Sequence, residues 1–125
     1  MIADAESVLR DAGNAKVLLM GLTFKENCPD LRNTRATDII TELQDYGIRV
    51  DVYDPWVQPL EAEKEYGITL VSELKQQYYS GIVIAVAHRQ FMSMTVRQLR
   101  QLCTEPSVIY DVKSIFPQEA VDGSL

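Results

Sequence analysis

Lys25 and Arg32 stand in one stretch, "GLTFKENCPDLRNT" (Gly21–Thr34), between an apolar run and the start of a helical pattern. Lysine is a mobile point charge suited to a phosphate or carboxylate. Arginine offers a rigid fork of donors suited to a diphosphate or an amide carbonyl. A helix beginning near Asn33 or Thr34 adds unpaired backbone N–H groups and the positive end of its dipole. Asp30, two residues before Arg32, can hold the guanidinium in place. Together these residues make an anion cradle. The same spacing also suits solvated loop charges paired with Glu26 and Asp30.

Other chemistry is sparse. His88, the one histidine, has no neighbours at metal-ligand spacing and reads as a cap or a loop-fixing group; no metal site is indicated. Cys28 lies between Glu26 and Asp30, which disfavour a thiolate. Cys28 and Cys103 are the two cysteines, in neither a CxxC nor a His-rich setting, so both read as free thiols. Tyr53 and Trp56 read as packing. Asp111 and Lys113 could bring one more cation to the edge of a sheet. No nucleophile–base pair or paired-carboxylate arrangement is present, and no catalytic residue is assigned.

The elements that must position these groups follow from periodicity. Residues 3–12 have helical spacing. "KVLLM" (16–20), "IRVDVYD" (48–54), "ITLV" (68–71), "GIVIAVA" (81–87) and "SVIYDV" (107–112) read as strands. Between them, 35–46 ends at Gly47 and 59–66 ends at Gly67, both as helices. Residues 72–78 suggest one or two helical turns, 95–103 a further helix, and the tail 117–125 reads as loose. Alternating strand and helix implies an α/β, three-layer, doubly wound (Rossmann-like) domain on a mostly parallel five- to six-stranded sheet.

Counting strands in chain order, 3-2-1-4-5 is the expected arrangement, with the winding reversing between strands 1 and 4. Ligands of such sheets bind outside the carboxyl ends of the strands at that reversal. The loops meeting there, 21–34 and "AHRQF" (87–91), select Lys25, Arg32, His88 and Arg89. A self-sufficient dinucleotide site is excluded: "GLTFKE" has one glycine where G-x-G-x-x-G needs three. Asp54 stands where a ribose-binding acid would, but before Pro55 it reads as a turn cap.

The chain of 125 residues is the size of one domain, 46% hydrophobic and 24% charged. Its net charge of −6 argues against nucleic acid as a partner. No apolar run is long enough for a membrane span, and the first residues lack the pattern of a secretory signal, so the reading is a cytoplasmic protein.

With "VDVYDPWV", "AVAHRQF" and "YDVKSIF" following in order, F-K-x(4)-D-x-R between a strand and a helix resembles the C-terminal UDP-sugar-binding domain of the UDP-glucose/GDP-mannose dehydrogenase family. The likeness runs from about 15 to 116 and is greatest to bacterial UDP-N-acetylhexosamine 6-dehydrogenases of capsule, O-antigen or Vi polysaccharide synthesis. It implies an NAD-dependent homodimeric enzyme that oxidises the C6 alcohol of a UDP-sugar to the acid with two NAD. The intermediates are an aldehyde and a thioester on a cysteine in a G-F-G-G-x-C loop. It also implies Phe24, Lys25 and Lys113 on the substrate and Arg32 toward NAD, with Asp30 and His88 in support. Lys113 replaces an arginine of some members. Neither the cysteine loop nor the three-glycine motif occurs here. The expectation is therefore a piece of a longer enzyme, inactive alone. Residues 1–14 would be a linking helix from a middle region, 15–125 the UDP-binding domain, and the N-terminal and middle domains its missing partners. Two other readings stay open: a free-standing nucleotide- or CoA-binding module, and an interaction domain whose basic loop docks an acidic partner.

Overall fold

The computed structural model describes residues 15–23, 26, 27, 29, 34–113, 115–117 and 121–124. The strand β1 (Lys16–Met20) is apolar on both faces, and Val17 to Met20 are all fully buried. A strand with no solvent face belongs in the middle of a parallel sheet. There it lies, between β2 (Arg49–Tyr53) and β3 (Tyr79–Ile84). Outward from β3 follow β4 (Cys103–Asp111) and β5 (Gly123–Ser124), every pairing parallel.

Leu70 adds a single parallel bridge to Val52 on the far side of β2. The expected order 3-2-1-4-5 is therefore observed, with its third strand reduced to one residue. The Gly123–Ser124 strand is an addition, since the tail carries no period to announce it. Asp122 supplies the anchor: its N–H donates to Ile109 O and its carboxylate accepts the Ile109 N–H, at 2.9 and 2.8 Å.

Alternation along the strands sorts the core into two layers. Val17, Leu19, Val52 and Val83 pack under α1 (Ala36–Asp45) and α2 (Pro59–Tyr66), through Ile40, Leu43 and Ala62. Leu18, Met20, Ile82, Ile84 and Ile109 face the other way, onto Phe91 of α3 (Arg89–Met92) and Leu99 of α4 (Val96–Gln101). Each fully buried side chain of this kind contributes about 1.5–3 kcal/mol relative to exposure. Gly67 closes α2 in the left-handed conformation, as its position predicts. Thr95 and Gln98 cap α4 reciprocally.

Two further expectations are corrected, besides the shortened third strand and the strand found in the tail that reads as loose. Residues 72–78 form bends and a turn, with Gln77 at φ 49°, instead of helical turns. Cys103, expected on a helix, starts β4: α4 stops at Gln101, and Tyr79 pairs with Cys103 before the register shifts to Gly81 with Val108. The helix expected over 3–12 lies outside the described residues. Among the described residues, no helix is long and apolar enough to cross a membrane.

Candidate functional site

Three loops leave the carboxyl ends of β2, β1 and β3 side by side. Gly21 N–H reaches back to Tyr53 O, and Ala85 N–H to Met20 O, both at 2.9 Å. Gly21 has φ +104°, and a Cβ there would stand 2.6 Å from Val86 Cβ. This glycine is needed because the β1 and β3 loops touch at that point.

Asp54 ties the loops together. It is 4% exposed, and its Oδ2 accepts the N–H groups of Leu22 at 2.7 Å and Thr23 at 3.2 Å. Its Oδ1 accepts the N–H of Trp56 at 2.8 Å, so the expected turn cap is present, with a second duty across the sheet. His88, fully buried, brings Nε2 to within 3.0 Å of Asp54 Oδ2 and 3.2 Å of Thr23 Oγ1. Burial alone would raise the Asp54 pKa. The hydrogen bond from His88 and the N–H groups of Leu22 and Trp56 outweigh that and hold the carboxyl below its ordinary range.

The other ring nitrogen of His88, Nδ1, accepts the N–H of Asn27 at 2.9 Å. Asn27 has φ 55°, and its side-chain oxygen accepts the N–H of Arg89 at 2.8 Å. The Arg89 guanidinium lies 4.8 Å from the centre of the Trp56 ring, whose Nε1–H donates to Gln90 Oε1 at 2.8 Å. Thr34 closes the far end of the loop: its hydroxyl donates to Leu22 O and accepts the N–H of Ala36 at the start of α1.

The structure thus brings His88 and Arg89 to the reversal point, as the topology predicts. Lys113 is exposed in the turn after β4, at the same carboxyl edge but one strand further out. Asp111, before that turn, is fully buried and its Oδ2 accepts the Phe116 N–H at 2.8 Å. Phe24, Lys25, Cys28, Asp30 and Arg32 lie outside the described residues. Sequence reasoning missed Asn27 and the stacking of Arg89 on Trp56. An asparagine two residues after the lysine, able to take a left-handed backbone, was the available signal for the first. Among the described residues, no group of three His, Cys, Asp or Glu side chains is placed to hold a metal ion.

Loops that converge where a doubly wound parallel sheet reverses its winding mark the usual ligand crevice of the nucleotide-fold class. The chain belongs to the UDP-glucose/GDP-mannose dehydrogenase family, UDP binding domain, whose pattern matches residues 18–118. It is 51% identical over 108 residues to a UDP-N-acetyl-D-glucosamine 6-dehydrogenase of Pseudomonas aeruginosa, covering 86% of this chain and 26% of that protein. To the enzyme of the same description from Salmonella typhi it is 46% identical over 111 residues, covering 89% and 26%. The chain thus spans about a quarter of the length of these relatives. The fold recurs in an NDP-N-acetyl-D-galactosaminuronic acid dehydrogenase from Methanosarcina mazei Go1, with TM-score 0.76, 20% identity and coverage of 91% of this chain and 24% of that one. The Staphylococcus aureus UDP-N-acetyl-mannosamine dehydrogenase Cap5O shares it at TM-score 0.71 and 23% identity, over 98% and 29%.

Proposed function

We propose that this chain is the UDP-sugar clamp of an NAD-dependent nucleotide-sugar 6-dehydrogenase, with a UDP-N-acetylhexosamine as substrate. The observation that carries the reading is the tie through Asp54 and His88, which fixes the β1 loop at the reversal point of the sheet. The two relatives near half identity, both UDP-N-acetyl-D-glucosamine 6-dehydrogenases, support the substrate class. In this reading Phe24 and Lys25 contact the nucleotide, Lys113 approaches the substrate from the next strand, and Arg32, braced by Asp30, reaches toward NAD. His88 supports the loop. The complete enzyme is a cytoplasmic homodimer serving surface polysaccharide synthesis, and its other segments supply the nucleophilic cysteine.

NAD does not fit this crevice as a whole. The space beside Gly21 is taken by Val86, Leu22 is buried, and both oxygens of Asp54 are engaged by the chain's own donors. A pyrophosphate has no glycine-lined approach at Gly21, and Asp54, buried and engaged, is not open to a ribose. In the proposed reading, the chain's share in cofactor binding is an edge contact through Arg32.

Titration of UDP into the 125-residue chain, followed by amide shifts in NMR, tests the reading. Shifts are expected within 21–34, 86–91 and 111–114. Lys25→Ala should weaken binding about tenfold or more, the worth of one charge-assisted hydrogen bond. Shifts elsewhere, or indifference to Lys25→Ala, would overturn it in favour of a different module on the same fold.

A further inference from the structure

One ring joins the β3 loop to the β1 loop. An imidazole buried as completely as that of His88 is costly unless both nitrogens are bonded, and both are. Nδ1 accepts from Asn27 N–H. A backbone amide can only donate, so Nδ1 carries no proton in this arrangement. The proton sits on Nε2 and points to Asp54 Oδ2. Asp54 in turn collects the N–H groups of Leu22 and Thr23. Asn27 is held a second time, by the Arg89 N–H on its side-chain oxygen.

The β1 loop is therefore stitched at 22, 23 and 27 to a frame made by 54, 88 and 89. Packing alone does not ask for a histidine here. Phe91 and Trp56 surround the ring, with centroids at 5.3 and 6.0 Å, and an apolar ring would suit them as well. What an apolar ring cannot do is accept from Asn27 and donate to Asp54 at once.

We propose that His88 is the positioning residue of the nucleotide loop, a role that rests on the UDP-binding reading above. It touches no substrate. Through Asn27 it presets the loop backbone at 27, as Asp54 does at 22 and 23, so that less ordering remains to be done when the nucleotide arrives.

Two conservative variants separate its two bonds. In His88→Asn the side-chain oxygen falls near the place of Nδ1 and keeps the acceptor for Asn27. In His88→Gln the amide nitrogen falls near the place of Nε2 and keeps the donor to Asp54. The full chain, its two variants and UDP are compared by amide hydrogen exchange and NMR titration, with the imidazole 15N shifts of the unmodified chain. The expected result is an Nε2–H tautomer and a protected Asn27 amide. His88→Asn should keep that protection and hold UDP affinity within about threefold, whereas His88→Gln should lose it and bind UDP about tenfold less tightly. Equal affinity and equal Asn27 protection in all three chains would overturn the proposal and leave His88 as core filling. Should both variants fail to fold, a proton found on Nδ1 or an unprotected Asn27 amide in the unmodified chain would overturn it, and the expected tautomer with a protected amide would uphold it. If the unmodified chain binds no UDP, the functional reading fails. The Asn27 amides of the variants then still decide whether His88 orders the loop.

Discussion

Asp54→Asn is the substitution that most directly weighs the tie holding the site together. The two oxygens carry unequal loads: Oδ2 accepts from Leu22, Thr23 and His88, while Oδ1 accepts from Trp56 alone. The new amide nitrogen will take the Oδ1 side, where it meets the Trp56 N–H, and the three bonds on the other side will lose their ionic partner. One lost and three weakened charge-assisted bonds amount to about 2–3 kcal/mol. Asp54→Ala strands four donors, three of them buried, and should cost about 4–5 kcal/mol, near the upper end for a single change. Urea unfolding followed by circular dichroism, with Glu63→Gln on the exposed side of α2 as control, gives both numbers. The pH dependence adds a signature. In the folded chain the Asp54 carboxyl titrates below its ordinary 3.8. Its contribution is complete above that value and drains away as pH falls through the lower folded value. The gap between the unmodified chain and Asp54→Asn should therefore narrow below about pH 4. A cost for Asp54→Asn within about 0.5 kcal/mol, the range of an inert surface change, or a gap that widens in acid, would refute the reasoning.

Gly21→Ala should cost at least about 2 kcal/mol, because φ +104° strains any side chain and the added methyl meets Val86 Cβ at 2.6 Å and Val86 N at 2.9 Å; a thermal melt reads this as a drop of roughly 6 °C or more. Asp122→Ala removes both the acceptor for Ile109 N–H and the partner of Arg100 at 3.1 Å. Amide exchange should quicken through 121–124 and at Ile109, with a global loss of only about 1–2 kcal/mol, since the ion pair is half-exposed.

The central strands were legible because burial on both faces leaves an unmistakable apolar run, as in "KVLLM". The winding order then followed from handedness, and with it the loops that meet at the crevice. Boundaries failed where local signals conflict with pairing. Pro106 has no N–H to give a ladder, so the strand pattern starts at 107, yet the chain is already paired at Cys103 and simply slips register in between. His88 could be selected by position and read as a cap or loop-fixing group, but its partners could not be named, because they come from Asn27 and Asp54, far apart in the chain. Asp54 showed the opposite: its local duty to Trp56 could be read from Asp-Pro, and its longer-range duty to Leu22 and Thr23 could not.

The pairing of β1 with β3 also sets when the fold can form. Val17 lies beside Gly81, so the innermost strand waits for most of the chain before its second neighbour exists. Loop closure over that separation comes before any reward, which slows the search and makes the nucleus late. During synthesis β1 and β2 emerge first, and β1 then shows one bare edge of fully apolar residues. Chains that end before Tyr79 keep that edge for good, and should clump where the full domain stays dispersed.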